Sequence, residues 1–158
     1  MSLNLQEFEL KSKNIFFILI GIIVSGFIIR LYFFPYELPL GNDGFLYFTY
    51  AIDTMLLGEL PKAFTIPNNG WPLVLSGIFS LFNFDTAIEF MTVQRSISII
   101  FSVFTTIPLY FLSKKFFGPT LSLLCCFIFV FEPRLVQNSV LGLTEPIFIF
   151  LIISSLAL

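Results

Sequence analysis

The sequence predicts an all-α, polytopic integral membrane protein with interfacial helices in its first outer loop. Three observations predict it. Hydrophobic residues make up 57% of the chain and charged ones only 11%, against about 25% charge in ordinary soluble domains. Mean hydropathy is +0.96. The apolar residues fall in long runs divided by Gly and Pro, and 158 residues suffice for about four spans at roughly 20 residues each.

Residues 1–14 read as a polar cytoplasmic leader carrying Lys11 and Lys13. The first span covers 15–34. It is too long for a signal-peptide core and no small-residue cleavage site follows, so it reads as retained. Gly21 and Gly26 favour close helix contacts. Arg30 lies about 24 Å along the helix from Asn14, at the far interface, where it is expected to snorkel to headgroups beside Tyr32 and Tyr36. An outer loop, 35–89, follows the breakers Pro35, Pro39 and Gly41. Within it a helix is expected from Asp43 to about Leu57, with Phe45, Phe48, Ile52, Met55 and Leu56 on one face, lying in the interface. A shorter apolar helix opens at Trp71-Pro72 and runs to about Phe82, too short to cross.

Residues 90–158 hold further transmembrane helices. A long helix from about Thr86 to Lys115 contains a span near Ile97–Leu112, and Lys114-Lys115 follow it. After Gly118-Pro119 comes an apolar run to Phe131, then Glu132-Pro133-Arg134. The polar stretch Gln137-Asn138-Ser139 leads through Gly142 to Thr144-Glu145-Pro146. The last apolar run, Ile147–Leu158, ends without a cap or polar tail, so the chain reads as the front of a longer protein. Lys11, Lys13, Lys114 and Lys115 belong on one side, which places the N-terminus in the cytoplasm. The plasma membrane is the expected location.

Composition excludes several function classes. The chain has no His, which removes imidazole bases, Ser-His-Asp arrangements and most zinc sites. Its 8 basic residues are scattered and net charge is −2, so the basic footprint of nucleic-acid binding is missing. No Gly-rich nucleotide loop occurs. Cys125 and Cys126 sit in an apolar run and read as packing.

The charged groups that remain converge on the outer face: Asp43, Asp53, Arg30, Arg95, Glu132, Arg134 and Glu145. Asp43-Gly44-Phe45-Leu46-Tyr47, then Ala51, Gly58, Pro61 and Gly70-Trp71-Pro72-Leu73, resembles the first outer loop of GT-C membrane glycosyltransferases. Gln94-Arg95-Ser96, Lys114-Lys115-Phe116-Phe117-Gly118 and Gly142-Leu143-Thr144-Glu145-Pro146 continue the pattern. The resemblance covers nearly the whole chain and is closest to the protein O-mannosyltransferase and aminoarabinose transferase branch. Known members are much longer, with many more spans and often a soluble tail, so this chain would hold only the front of the catalytic module.

The resemblance implies inverting transfer of a sugar from a polyprenyl-phosphate donor to a protein, lipid or glycan acceptor on the non-cytoplasmic face. Asp43 matches the family's first-loop acid and is expected to be the catalytic base. Arg95 and Arg134 are expected to hold the leaving phosphate, with Tyr47 and Glu145 contributing to substrate binding. No cofactor is read from the chain. A divalent metal stays open, although Asn42 and Gly44 flank Asp43 where many relatives carry a second acid.

Structural readings stand beside these. Asp43 suits a helix N-cap, which contributes about 1 kcal/mol. Thr144 and Glu145 suit a helix start. Asp53 suits a solvated face, and Tyr47, Tyr50 and Trp71 suit interfacial anchors. The rival functions are a transporter or flippase, whose sites usually lie at midplane, and a non-catalytic scaffold subunit.

Overall fold

The computed structural model describes residues 12–62 and 69–158. Residues 1–11, with Lys11, and 63–68, with Pro67 and Asn68, lie outside the described residues. Among the described residues the regular structure is eight helices: α1 (Ser12–Tyr32), α2 (Asn42–Leu57), α3 (Gly70–Phe79), α4 (Ala87–Phe104), α5 (Thr106–Lys114), α6 (Pro119–Phe131), α7 (Pro133–Val140) and α8 (Glu145–Ala157). Two stretches, Lys13–Tyr32 and Ala87–Lys114, are long and apolar enough to cross a membrane, and α6 with α7 makes a third if that bent pair is one span.

Local chemistry explains the boundaries. Thr86 and Glu89 form a capping box that starts α4, satisfying amide donors that the first turn leaves open. α4 and α5 are nearly continuous, parted only at Thr105. Pro108 has no N–H to return to the carbonyl of Phe104, which loosens the ladder at that point. Glu132 precedes Pro133, and the ring of a following proline disfavours helical backbone. Glu132 accordingly turns extended, caps α7 through Leu135 N–H at 2.7 Å, and α7 leaves α6 at 51°. Gln137, Asn138 and Ser139, read from sequence only as a polar stretch, therefore lie in a helix.

α2 folds back on α3, and the pair caps the N-terminal end of α4. Their core is Leu40, Phe48, Ala51, Trp71, Leu75, Phe79 and Met91, with Phe48 and Phe79 edge to face at 6.1 Å. The buried face of α2 is rotated from the expected one. Gly44, Phe48, Ala51 and Thr54 point inward, as does Tyr50, whereas Phe45 and Leu56 are exposed. The helix seats on a neighbour rather than presenting one apolar stripe outward.

α1 packs on α4, α6 and α7, and α8 packs on α4 and α5. Lys115 Nζ donates to the Leu156 carbonyl at 3.2 Å, so the C-terminal ends of α5 and α8 lie together. Gly26 gives α1 its close approach: a Cβ there would lie 2.7 Å from Val130 Cγ1. Gly21, expected to act likewise, faces open space.

Exposure is inverted relative to a soluble domain. Phe16, Phe17, Val24, Ile28, Leu124, Ile128, Phe148 and Leu151 are exposed, while Arg30, Gln94 and Arg95 are 0–1% exposed. Soluble proteins almost never bury unpaired cations fully. A chain with apolar surroundings turns its polar groups inward.

Candidate functional site

The inward polar groups follow one stripe of α4. Gln94, Ser98, Ser102 and Thr105 recur at three- and four-residue spacing, so they share a helical face, and all are buried. Three of them hold backbone. Gln94 Nε2 donates to the carbonyls of Gly44 (3.0 Å) and Gly142 (2.9 Å), and Ser98 Oγ donates to that of Leu143 (3.2 Å). Trp71 Nε1 joins Gln94 on the Gly142 carbonyl at 3.2 Å. Thr105 Oγ1 donates back to the Phe101 carbonyl.

These bonds bring the start of α2 against the turn between α7 and α8. Gly142 has φ +71°, a left-handed backbone that glycine adopts without a Cβ clash. Gly44 allows the contact itself, since a Cβ there would lie 2.6 Å from the Leu141 carbonyl oxygen.

The result gathers three of the sequence-predicted residues. Asp43 is exposed in the first turn of α2, Tyr47 is half-buried one turn later, and Glu145 is half-buried in the first turn of α8. Burial first, then the charges of Asp43 and Glu145, hold the Tyr47 phenol above its ordinary value. It stays protonated at neutral pH and is a hydrogen-bond donor beside two carboxylates. Glu145 also lines a narrow crevice with Ser102, Thr105 and Asn138.

Asp43 is not the N-cap. Gly41 occupies that position, and no side chain caps the helix. Asp43 makes no ion pair or hydrogen bond among the described residues, so its carboxylate is open to solvent. Thr144 does stand at the N-cap position of α8, with Glu145 following it.

The two candidate phosphate holders part company. Arg95 is buried, with Nη1 on the carbonyls of Pro35 (3.4 Å) and Leu38 (2.8 Å) and Nη2 on that of Pro39 (3.0 Å). It ties the segment between α1 and α2 to α4, and its Nε has no partner among the described residues. That engagement leaves Arg95 poorly placed to hold a ligand. Arg134 is exposed in the first turn of α7 and has no partner among the described residues.

Three interfacial readings are corrected. Arg30 does not snorkel: it is 0% exposed and donates to the carbonyls of Gly26 and Val130 and the hydroxyls of Ser102 and Ser139, at 2.9–3.1 Å. It joins α1, α4, α6 and α7. Trp71 and Tyr50, at 2% exposure each, are core residues, because the α2–α3 pair closes over them. Asp53 is exposed, as its solvated-face reading requires. Cys126 is fully buried with Sγ 3.5 Å from the Thr106 carbonyl, a packing role.

No group of three or more metal-ligating Cys, Asp or Glu side chains gathers among the described residues. No family model, curated protein or solved structure matches the chain.

Proposed function

We propose that this chain carries the first catalytic loop of an integral membrane glycosyltransferase that uses a polyprenyl-phosphate sugar. The observation that carries this reading is the placement of Asp43. Its carboxylate is exposed and caps nothing, next to a protonated Tyr47 and to Glu145, on a loop that Arg95 and Gln94 fix to the rest of the bundle. A residue that merely started the helix would be expected to hold a first-turn amide.

In this reading an acceptor hydroxyl attacks the anomeric carbon while its proton passes to Asp43. The bond from that carbon to the phosphate oxygen breaks, and the polyprenyl phosphate leaves with the electron pair. A phosphate is stable as an anion and needs no general acid; cationic donors lower its energy further. Arg134 is the open cation for that role, and Tyr47 donates to a sugar or phosphate oxygen. Arg95 supports the site by fixing the loop. Lys13 and Lys114-Lys115 then face the cytoplasm and the α2–α3 pair faces outward.

The test is Asp43→Asn in the natural protein. Asn keeps the shape and takes no proton. Transfer from a polyprenyl-phosphate sugar should fall by roughly 10²–10⁴-fold with thermal stability unchanged. Full transfer by the Asn variant would remove Asp43 as the base. The transporter alternative requires charges lining a pathway, whereas Arg30 and Arg95 are sealed against neutral oxygens.

A further inference from the structure

Gln94 draws the two acid-bearing segments onto one atom. Its Nε2 donates to the Gly44 carbonyl at 3.0 Å and to the Gly142 carbonyl at 2.9 Å. Gly44 follows Asp43 directly, and Gly142 stands three residues before Glu145. The two N–H bonds of a planar amide diverge by about 120°, so these carbonyl oxygens lie about 5 Å apart. Trp71 and Ser98 bond the α7–α8 turn; Gln94 bonds that turn and α2 together. Arg95, the next residue, fixes the Pro39 carbonyl, so Asp43 is bracketed by carbonyls that successive residues of α4 hold.

The Gln94 side chain is wholly buried, and its Oε1 has no partner among the described residues. A buried acceptor left unsatisfied costs stability, so an aliphatic chain of this length would suit the packing better. What the amide supplies is two N–H donors without a charge. A lysine or arginine here would also donate, but would pair with Asp43 or Glu145 and depress the basicity of that carboxylate.

We propose that Gln94 is a positioning residue of the transfer reaction: it sets the separation of Asp43 from Glu145, and with it the place where an acceptor hydroxyl meets the base. Its part in transfer rests on the reading above; its hold on the two segments does not. A displacement of about 1 Å at the reacting atoms can cost about 10²-fold in rate.

The experiment compares the natural protein with Gln94→Met, which keeps the length and loses both donors. Transfer from a polyprenyl-phosphate sugar should show kcat reduced by roughly 10–100-fold, with KM for the donor within about twofold of wild type. Leu123→Ala is the control for lost stability. It opens a cavity in the separate cluster of Ile22, Tyr110, Cys126 and Val130, and should lower the melting temperature at least as far while leaving kcat within about twofold. The Tyr47 phenol, titrated by ultraviolet absorbance without substrate and against Tyr47→Phe, reports the geometry directly. Gln94→Met should move it toward its ordinary value, and should move it less in a Glu145→Gln background, where the carboxylate it would displace is gone. Should Gln94→Met not fold, Gln94→Asn carries the same test, since an amide one methylene shorter reaches one carbonyl at most. An unchanged kcat, a rise in KM alone, a matching loss of kcat in Leu123→Ala, or equal phenol shifts in the two backgrounds would each overturn the proposal and leave the transferase reading intact. If the wild type transfers no sugar but the phenol shifts follow the expected pattern, the hold on the two segments stands and the transferase reading falls.

Discussion

Replacing Gly44 by Ala is the sharpest test of how the site is held together. The new Cβ would lie 2.6 Å from the Leu141 carbonyl oxygen, and contacts below 3.0 Å are essentially never seen. Backbone, not a rotatable side chain, stands in the way, so α2 and the α7–α8 turn must part by several tenths of an ångström. That movement stretches the 3.0 Å bond from Gln94 Nε2 to the Gly44 carbonyl. Overpacking of this kind costs about 1–3 kcal/mol, and weakening one buried hydrogen bond adds about 1 kcal/mol. Against this, Ala in place of Gly within a helix gains about 0.5–1 kcal/mol. The net expectation is a loss of about 1–3 kcal/mol. Gly77 is the matched control, a helical glycine where an added Cβ would meet nothing within 4 Å, so Ala there should stabilise by about 0.5–1 kcal/mol. Thermal unfolding of the two variants in one detergent measures the difference, which should have opposite signs. If Gly44→Ala is as stable as Gly77→Ala, the close packing of α2 on the α7–α8 turn is wrong.

Arg95→Ala should free the 35–39 segment by removing three carbonyl bonds, each buried carbonyl left without a donor costing about 1–3 kcal/mol; limited proteolysis between α1 and α2 reads the change, and an unaltered cleavage rate would contradict the clamp. Trp71 is the sole tryptophan and is 2% exposed, so its emission should be blue-shifted and resist acrylamide, whereas ready quenching would restore the interfacial-anchor reading. The Tyr47 phenol should ionise above its ordinary value near 10, seen at 295 nm as the difference between wild type and Tyr47→Phe; Asp43→Asn should move it part of the way back, since burial is the larger cause. The sign for stability follows: below pH 10 the phenol is neutral folded or unfolded, and above it the unfolded chain ionises first, so Tyr47 makes stability fall with rising pH. A cysteine at Lys62, which is exposed beside Glu59, should react with an impermeant reagent from outside, and labelling only after permeabilisation would reverse the proposed orientation.

The helix starts and stops are legible in the sequence because their chemistry is local. Thr86 with Glu89, Gly58, Pro119 and Pro133 act within one turn of chain, and each boundary lies where its residue type requires. The proximity of Asp43, Tyr47 and Glu145 is legible only as a shared side, because it depends on Gln94 reaching across 50 and 48 residues. Arg30 and Trp71 depart from expectation for a common reason. Charge and aromatic amphipathy favour a water boundary, yet each finds enough oxygen acceptors inside the bundle to be satisfied there. The signal that would locate them is the Gln94, Ser98, Ser102, Thr105 stripe, a polar face on an otherwise apolar helix. α7 is hidden because Gln137-Asn138-Ser139 looks like loop by composition, and only the Glu132-Pro133 start marks it as helix.

The Gly142 carbonyl accepts both the Trp71 indole and the Gln94 amide, so the order of synthesis governs when the α2–α3 pair can lock. Trp71 precedes its acceptor by 71 residues. At a synthesis rate of about 5–20 residues per second, the α2–α3 hairpin waits roughly 4–14 s before the peptide that anchors it exists. During that interval Trp71 lacks its final partner, although α1 is already complete and α4, with Gln94 for the Gly44 carbonyl, is finished well before Gly142 is made. The α2–α3 pair is therefore among the last parts of this region to lock, and a chaperone or insertase acting on the nascent chain would meet it open.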